Sequence, residues 1–115
     1  MRIIKQSESI GLADLQAMAT PMFGNLVKAV VDIKMGVMIL DMEMHTDGEQ
    51  ELLKNGSQQA DLWGINLYPE LSGDDFVEFD SMINLRPSQN NRSRGVDDIN
   101  IRQQILSVVN RIIKK

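Results

Sequence analysis

Asp41-Met42-Glu43-Met44-His45 places a group able to bind a cation or move a proton at every second position of an apolar run. Read as a strand, the run puts Asp41, Glu43 and His45 on one face. Glu78 and Asp80 alternate in the same way through Phe76-Val77-Glu78-Phe79-Asp80. Carboxylates around one imidazole suit a divalent metal or general acid–base work. Same-face residues stand about 6.6 Å apart along a strand, so they meet on one ion only with help from a bend or a neighbouring strand. Glu43, His45, Glu78 and Asp80 are therefore the candidate metal ligands or proton carriers of a small metal-dependent or acid–base hydrolytic enzyme. The alternative is the polar, solvated face that antiparallel sheets commonly turn to water. Gly64 and Asn66 are expected across from Glu78 and Asp80, where a glycine would leave room for a ligand beside the carboxylates. The chain has one histidine and no cysteine. That excludes multi-histidine metal sites within one chain, thiolate zinc, disulfide frameworks and thiol nucleophiles.

A second constellation runs from Asn84 to Arg94. Arg86, Arg92 and Arg94 stand there among Asn84, Asn91 and Ser93, with no acidic residue between positions 81 and 96. Guanidinium forks with amide and hydroxyl donors suit phosphate or carboxylate recognition. Together with Asn66, these residues are the candidate ligand-binding set for an anionic small molecule, a nucleotide or an acidic partner. The competing reading is a solvated loop whose arginines pair with the acidic middle of the chain. Residues 1–40 carry four bases and three acids, residues 41–80 one base and eleven acids, and residues 81–115 seven bases and two acids. Net charge thus runs +1, −10 and +5, which suits pairing within one fold or across a homo-oligomer interface. Overall acidity argues against nucleic acid as a partner.

These residues need elements to hold them. With 115 residues and 43% apolar content, the chain makes one globular domain. Arg2 to Lys5 reads as a strand, and Ser9 as the cap of a helix carrying Leu12, Leu15 and Ala19, which Pro21 and Gly24 end. Leu26–Ile33 and Val37–His45 read as a hairpin turning at Lys34-Met35-Gly36. Thr46-Asp47-Gly48-Glu49 matches a capping box opening a short helix, and Asn55-Gly56 closes it. Leu62–Tyr68 and Phe76–Arg86 read as a second hairpin. Asp97 or Asp98 caps a last helix with Ile101, Ile105, Val108, Val109 and Ile112 as its apolar stripe. The order β-α-β-β-α-β-β-α predicts an α+β fold, a single small domain whose antiparallel sheet carries its helices on one face. No apolar run approaches a membrane span, and Met1 to Gly11 lacks the apolar core of a signal peptide, so a cytoplasmic protein without a membrane partner is expected.

Leu62-Trp63-Gly64-Ile65-Asn66-Leu67-Tyr68-Pro69, the stretch Glu78 to Pro87 and Asn91-Arg92-Ser93 resemble a family of short bacterial and archaeal proteins of unknown function. Lys28 to Asp32, Glu43-Met44-His45 and Gly56-Ser57 share in the resemblance. It implies a free-standing single domain and brings no activity, cofactor or catalytic residue with it. From the residues themselves, a binding module stands first, ahead of a structural oligomer subunit and the hydrolytic enzyme.

Overall fold

Five of the apolar runs pair into one antiparallel sheet in the computed structural model, which describes all 115 residues. In chain order the elements are β1 (Arg2–Ile4), β2 (Ile10–Gly11), α1 (Leu12–Ala19), β3 (Val27–Asp32) and β4 (Val37–Leu40), followed by α2 (His45–Lys54). Then come β5 (Leu62–Leu67), β6 (Val77–Glu78), α3 (Ile99–Ile112) and β7 (Ile113–Lys114). The sheet order is β1-β4-β3-β5-β6, and β2 and β7 form a separate parallel pair that ties the start of α1 to the end of α3. The fold is the expected small single α+β domain, and both expected hairpins are present.

The helices divide between the two faces of the sheet rather than sharing one. Val27, Ala29 and Val31 of β3 and Trp63, Ile65 and Leu67 of β5 face α1 and α3, which contribute Leu15, Ala19, Ile105, Val108, Val109 and Ile112. Val30, Ile39 and Leu62 point the other way and are covered by Leu52 of α2 with Met42 and Ile83. Apolar residues on both faces of the central strands require cover on both faces. The caps agree in part. Asp98 accepts from the Asn100 N–H at 2.8 Å to open α3, whereas α1 is capped at Gly11 and not at Ser9.

Two strands end earlier than alternation predicts. The Val37–His45 run leaves the sheet after Leu40, where Asp41 adopts a left-handed φ of 71°. His45 is consequently the first residue of α2, and the N-cap is Met44 with no side-chain cap in place of the Thr46–Glu49 box. The Phe76–Arg86 run pairs only over Val77–Glu78, then folds into 3-10 turns at Met82–Asn84 and Pro87–Gln89. The Ser81 hydroxyl starts the first turn by accepting the Ile83 N–H at 3.2 Å. Alternation past Asp80 therefore fails: Asn84 is fully buried and Met82 is 60% exposed.

Gly64 does not leave space for a ligand. A Cβ there would stand 2.6 Å from both Cβ and Oγ of Ser81, so the turn already occupies that space. We predict that Gly64→Ala costs about 1–3 kcal/mol through overpacking. The check is the urea midpoint at unchanged slope. An unaltered midpoint would mean that the Ser81 turn moves aside freely.

Candidate functional site

The arginine-rich loop is built for its own architecture. Asn84 lies against the outer edge of β5, where its Oδ1 accepts the Gly64 N–H at 2.8 Å and its Nδ2 donates to the Gly64 carbonyl at 2.9 Å. Nδ2 also donates to the Arg94 carbonyl at 2.9 Å. Asn91 is equally committed: its Nδ2 reaches the carbonyls of Asn84, Ser93 and Gly95, and its Oδ1 accepts the Asp97 N–H. The Ser93 hydroxyl donates to Asp97 at 2.6 Å, and the Arg92 N–H donates to the same carboxylate at 2.9 Å. Those contacts hold the Asp97 carboxyl below its usual range. Arg86 donates to the carbonyls of Gln59 and Leu62 and lies 4.2 Å over the Trp63 ring. Burial lowers the Arg86 pKa.

Asn84, Arg86, Asn91 and Ser93 are thus placed by backbone and carboxylate partners within the fold. The expected cluster of free arginines is not formed. Arg92 is exposed on the loop, and Arg94 turns back to Asp80 with Nε 2.7 Å from Oδ1, the one ion pair in the molecule.

The polar end of the sheet does assemble. Asn66 of β5 sits beside Lys28 of β3 and Glu78 of β6 in register. Its Nδ2 donates to Glu78 Oε1 at 2.8 Å, and the Tyr68 hydroxyl donates to the same oxygen at 2.9 Å. Burial, with Glu78 adding to it, raises the Tyr68 pKa, so the phenol stays protonated. Above this row the His45 Nε2 lies 2.8 Å from the Ile65 carbonyl. A carbonyl only accepts, so Nε2 carries the proton, and Nδ1 holds the lone pair of the neutral ring.

Burial pulls the His45 pKa below the ordinary 6.5, and the positive charge of Lys28 adds to the shift. The Ile65 hydrogen bond, Asp80 and Asn66 oppose it. The imidazole is neutral at pH 7. A cleft of about 170 Å³ opens here, lined by Lys28, Glu43, His45, Thr46, Ser81 and Arg94. The first turn of α2 has no side-chain cap, and of its leading N–H groups that of Asp47 is taken by the Met44 carbonyl at 3.0 Å.

Of the carboxylate–imidazole set, Glu43 and His45 line the cleft, and Asp80 lies behind Arg94. Glu78 is engaged by Asn66 and Tyr68. No three acidic or imidazole groups are placed to hold a metal ion together. The bend at Asp41 separates the residues that strand alternation had put side by side. Alternation missed Lys28, Thr46 and Ser81. Lys28 had a signal, because it interrupts the apolar Leu26–Val31 run on the face shared with Val30.

Asn84→Ala would leave the Gly64 N–H and the Gly64 carbonyl without partners, and we predict a loss of about 2–4 kcal/mol. Arg92→Ala should stay within about 0.5 kcal/mol of the parent in the same urea titration. The His45 shift predicts a pH effect of definite sign. Because the folded pKa lies below 6.5, its stabilisation is complete above 6.5 and is lost as pH falls from there through the lowered folded pKa. A midpoint series with His45→Gln, which keeps a donor for Ile65, should show a weaker decline in that window.

No helix is long and apolar enough to cross a membrane. No curated protein and no solved structure matches the chain. One family model, described as a protein of unknown function (DUF5674), matches residues 2–112. That match spans all five strands of the sheet, all three helices and the polar cleft, and the chain belongs to this family.

Proposed function

We propose that the protein is a binding module for a small anionic molecule, with its site at the cleft beside the N-terminus of α2. The carrying observation is that Lys28 and Arg94 flank this cleft at the one end of α2 that lacks a side-chain cap. Helix N-termini favour anions through open N–H groups and the helix dipole. Asp80 accepts from the Nε of Arg94, which leaves the guanidinium's terminal nitrogens to bond a ligand. Thr46 and Ser81 add hydroxyls. At about 170 Å³ the cleft takes a single phosphate or carboxylate group rather than a whole nucleotide. This narrows the recognition surface from the Arg86–Arg94 loop to Arg94 with the adjacent sheet face. The setting remains the cytoplasm expected from the sequence.

A second reading rests on the neutral His45. With Nδ1 as an acceptor beside bound anion, the imidazole would act as a general base in an acid–base enzyme. His45→Gln would then abolish turnover while leaving anion binding in place.

Titration with inorganic phosphate and with short carboxylates, followed by amide NMR shifts, tests the binding reading. Shifts are expected at Lys28, Thr46 and Ser81. Lys28→Ala and Arg94→Ala should each weaken binding about tenfold, the scale of one charge-assisted hydrogen bond. Arg92→Ala should leave it unchanged. Failure of every anion to shift these amides, or an Arg92→Ala effect as large as that of Arg94→Ala, would reject this assignment.

A further inference from the structure

The opposite end of α2 carries a second, chemically different cavity. It encloses about 510 Å³ between β1, the β3–β4 turn and the exit of α2, within the range of small-molecule sites, about 300–1,000 Å³. Ile3, Val37 and Leu52 form its apolar floor, where the smaller of the two cores reaches the edge of the sheet. Met35, 57% exposed, overhangs it from the turn. Its ten lining residues include no carboxylate, in a chain with sixteen acidic residues. Lys5 is the only charged side chain among them. The Lys5 ammonium has no ion-pair partner, and the nearby Glu8 carboxylate accepts the Lys5 backbone N–H at 2.8 Å.

The walls are fixed from inside the protein. Asp32 is fully buried at the end of β3. Its Oδ1 accepts the N–H groups of Lys34 and Met35, both at 2.9 Å, which sets the turn that carries Met35. Its Oδ2 accepts the Ser57 hydroxyl at 2.6 Å, which sets the loop after α2. One buried carboxylate therefore holds both sides of the cavity apart at a defined width. Three carbonyls of the last turn of α2 are already bonded within the chain. Glu51 and Leu52 accept the Asn55 N–H, Leu52 also accepts from Ser57, and Leu53 accepts from Gly56. A ligand that fits has an apolar body for the floor and one negative group for Lys5.

We propose that this cavity binds a small monocarboxylate with an apolar tail. The assignment is independent of the anion cleft at the other end of the helix. The test is an amide NMR titration of the full chain with octanoate, octanol and octylammonium. Saturable shifts are expected at Ile3, Met35, Val37, Leu52 and Ser57, with octanoate binding tightest and octylammonium weakest. Lys5→Glu changes an exposed side chain without touching the core. It should weaken octanoate about fivefold, the scale of an exposed charge pair, and leave octanol unaffected. Val37→Trp, if it folds, should fill the floor and abolish binding of all three. The proposal is overturned if no probe gives saturable shifts. It is also overturned if octanoate shifts Lys28 and Thr46 instead, if octylammonium binds as tightly, or if Lys5→Glu leaves octanoate binding unchanged.

Discussion

Strand β5 has an outer edge to satisfy along six residues, and β6 pairs with only two of them. An open edge of this kind is both a cost in unpaired backbone groups and a template for wrong pairing. The Asn84 side chain closes it by offering Gly64 a donor and an acceptor from one amide, the pattern a neighbouring strand would offer. Arg86 extends the same repair to the Leu62 carbonyl. Asn91 then holds the carbonyl of Asn84 itself and three further groups of the following loop. The small size of Gly64 belongs to this arrangement, because Ser81 must approach within a distance that no Cβ would allow. The polar, arginine-bearing stretch from Ser81 to Asp97 is thus a replacement for the missing length of β6, the fifth strand of the sheet, and its residue types follow from that task.

The position of α2 sets where ligands have access. Ten helical residues span about 15 Å, whereas five strands at about 4.8 Å spacing present about 19 Å between the axes of the outermost two. The helix starts beside β5 and the Ser81 turn and ends beside β1 and the β3–β4 turn. Each end leaves sheet uncovered. At the start the uncovered residues are polar and charged, and at the exit they are aliphatic. Two cavities of opposite character on one helix follow from that diagonal placement.

The segregation of charge along the chain has a consequence other than the expected pairing. One ion pair, Arg94 with Asp80, joins the basic C-terminal third to the acidic middle. Most of the remaining C-terminal cations meet carbonyls and aromatic faces. Arg111 donates to the Gly36 carbonyl, Arg102 donates to Val96 and lies over Phe79, and Lys115 lies 4.0 Å over Phe76. Surface ion pairs contribute little to stability, whereas a guanidinium bonded to carbonyls over an apolar ring also buries its stem. The acidic residues of the middle segment remain largely solvated, and the excess negative charge stays on the protein surface.

Local pattern was sufficient for β3, β5 and α3. Each is long enough for its apolar spacing to repeat, and burial of one side chain there obliges burial of the next on that face. A cap at Asp97 or Asp98 and the turn at Gly36 were readable for the same reason, since each depends on residues within a few positions of one another. The ends of β4 and β6 were not readable. Asp41 in a left-handed conformation and the Ser81 turn are choices that become favourable only once α2 and β5 are in place. Glu43, His45, Glu78 and Asp80 therefore do not stand in the relation that alternation predicts. Lys28 and Thr46, which complete the cleft, carry no motif. The amide of Asn84, expected from the sequence to bond a ligand, bonds the Gly64 backbone. Its partner was decided by tertiary structure, because the unpaired edge it serves lies twenty residues away in the chain.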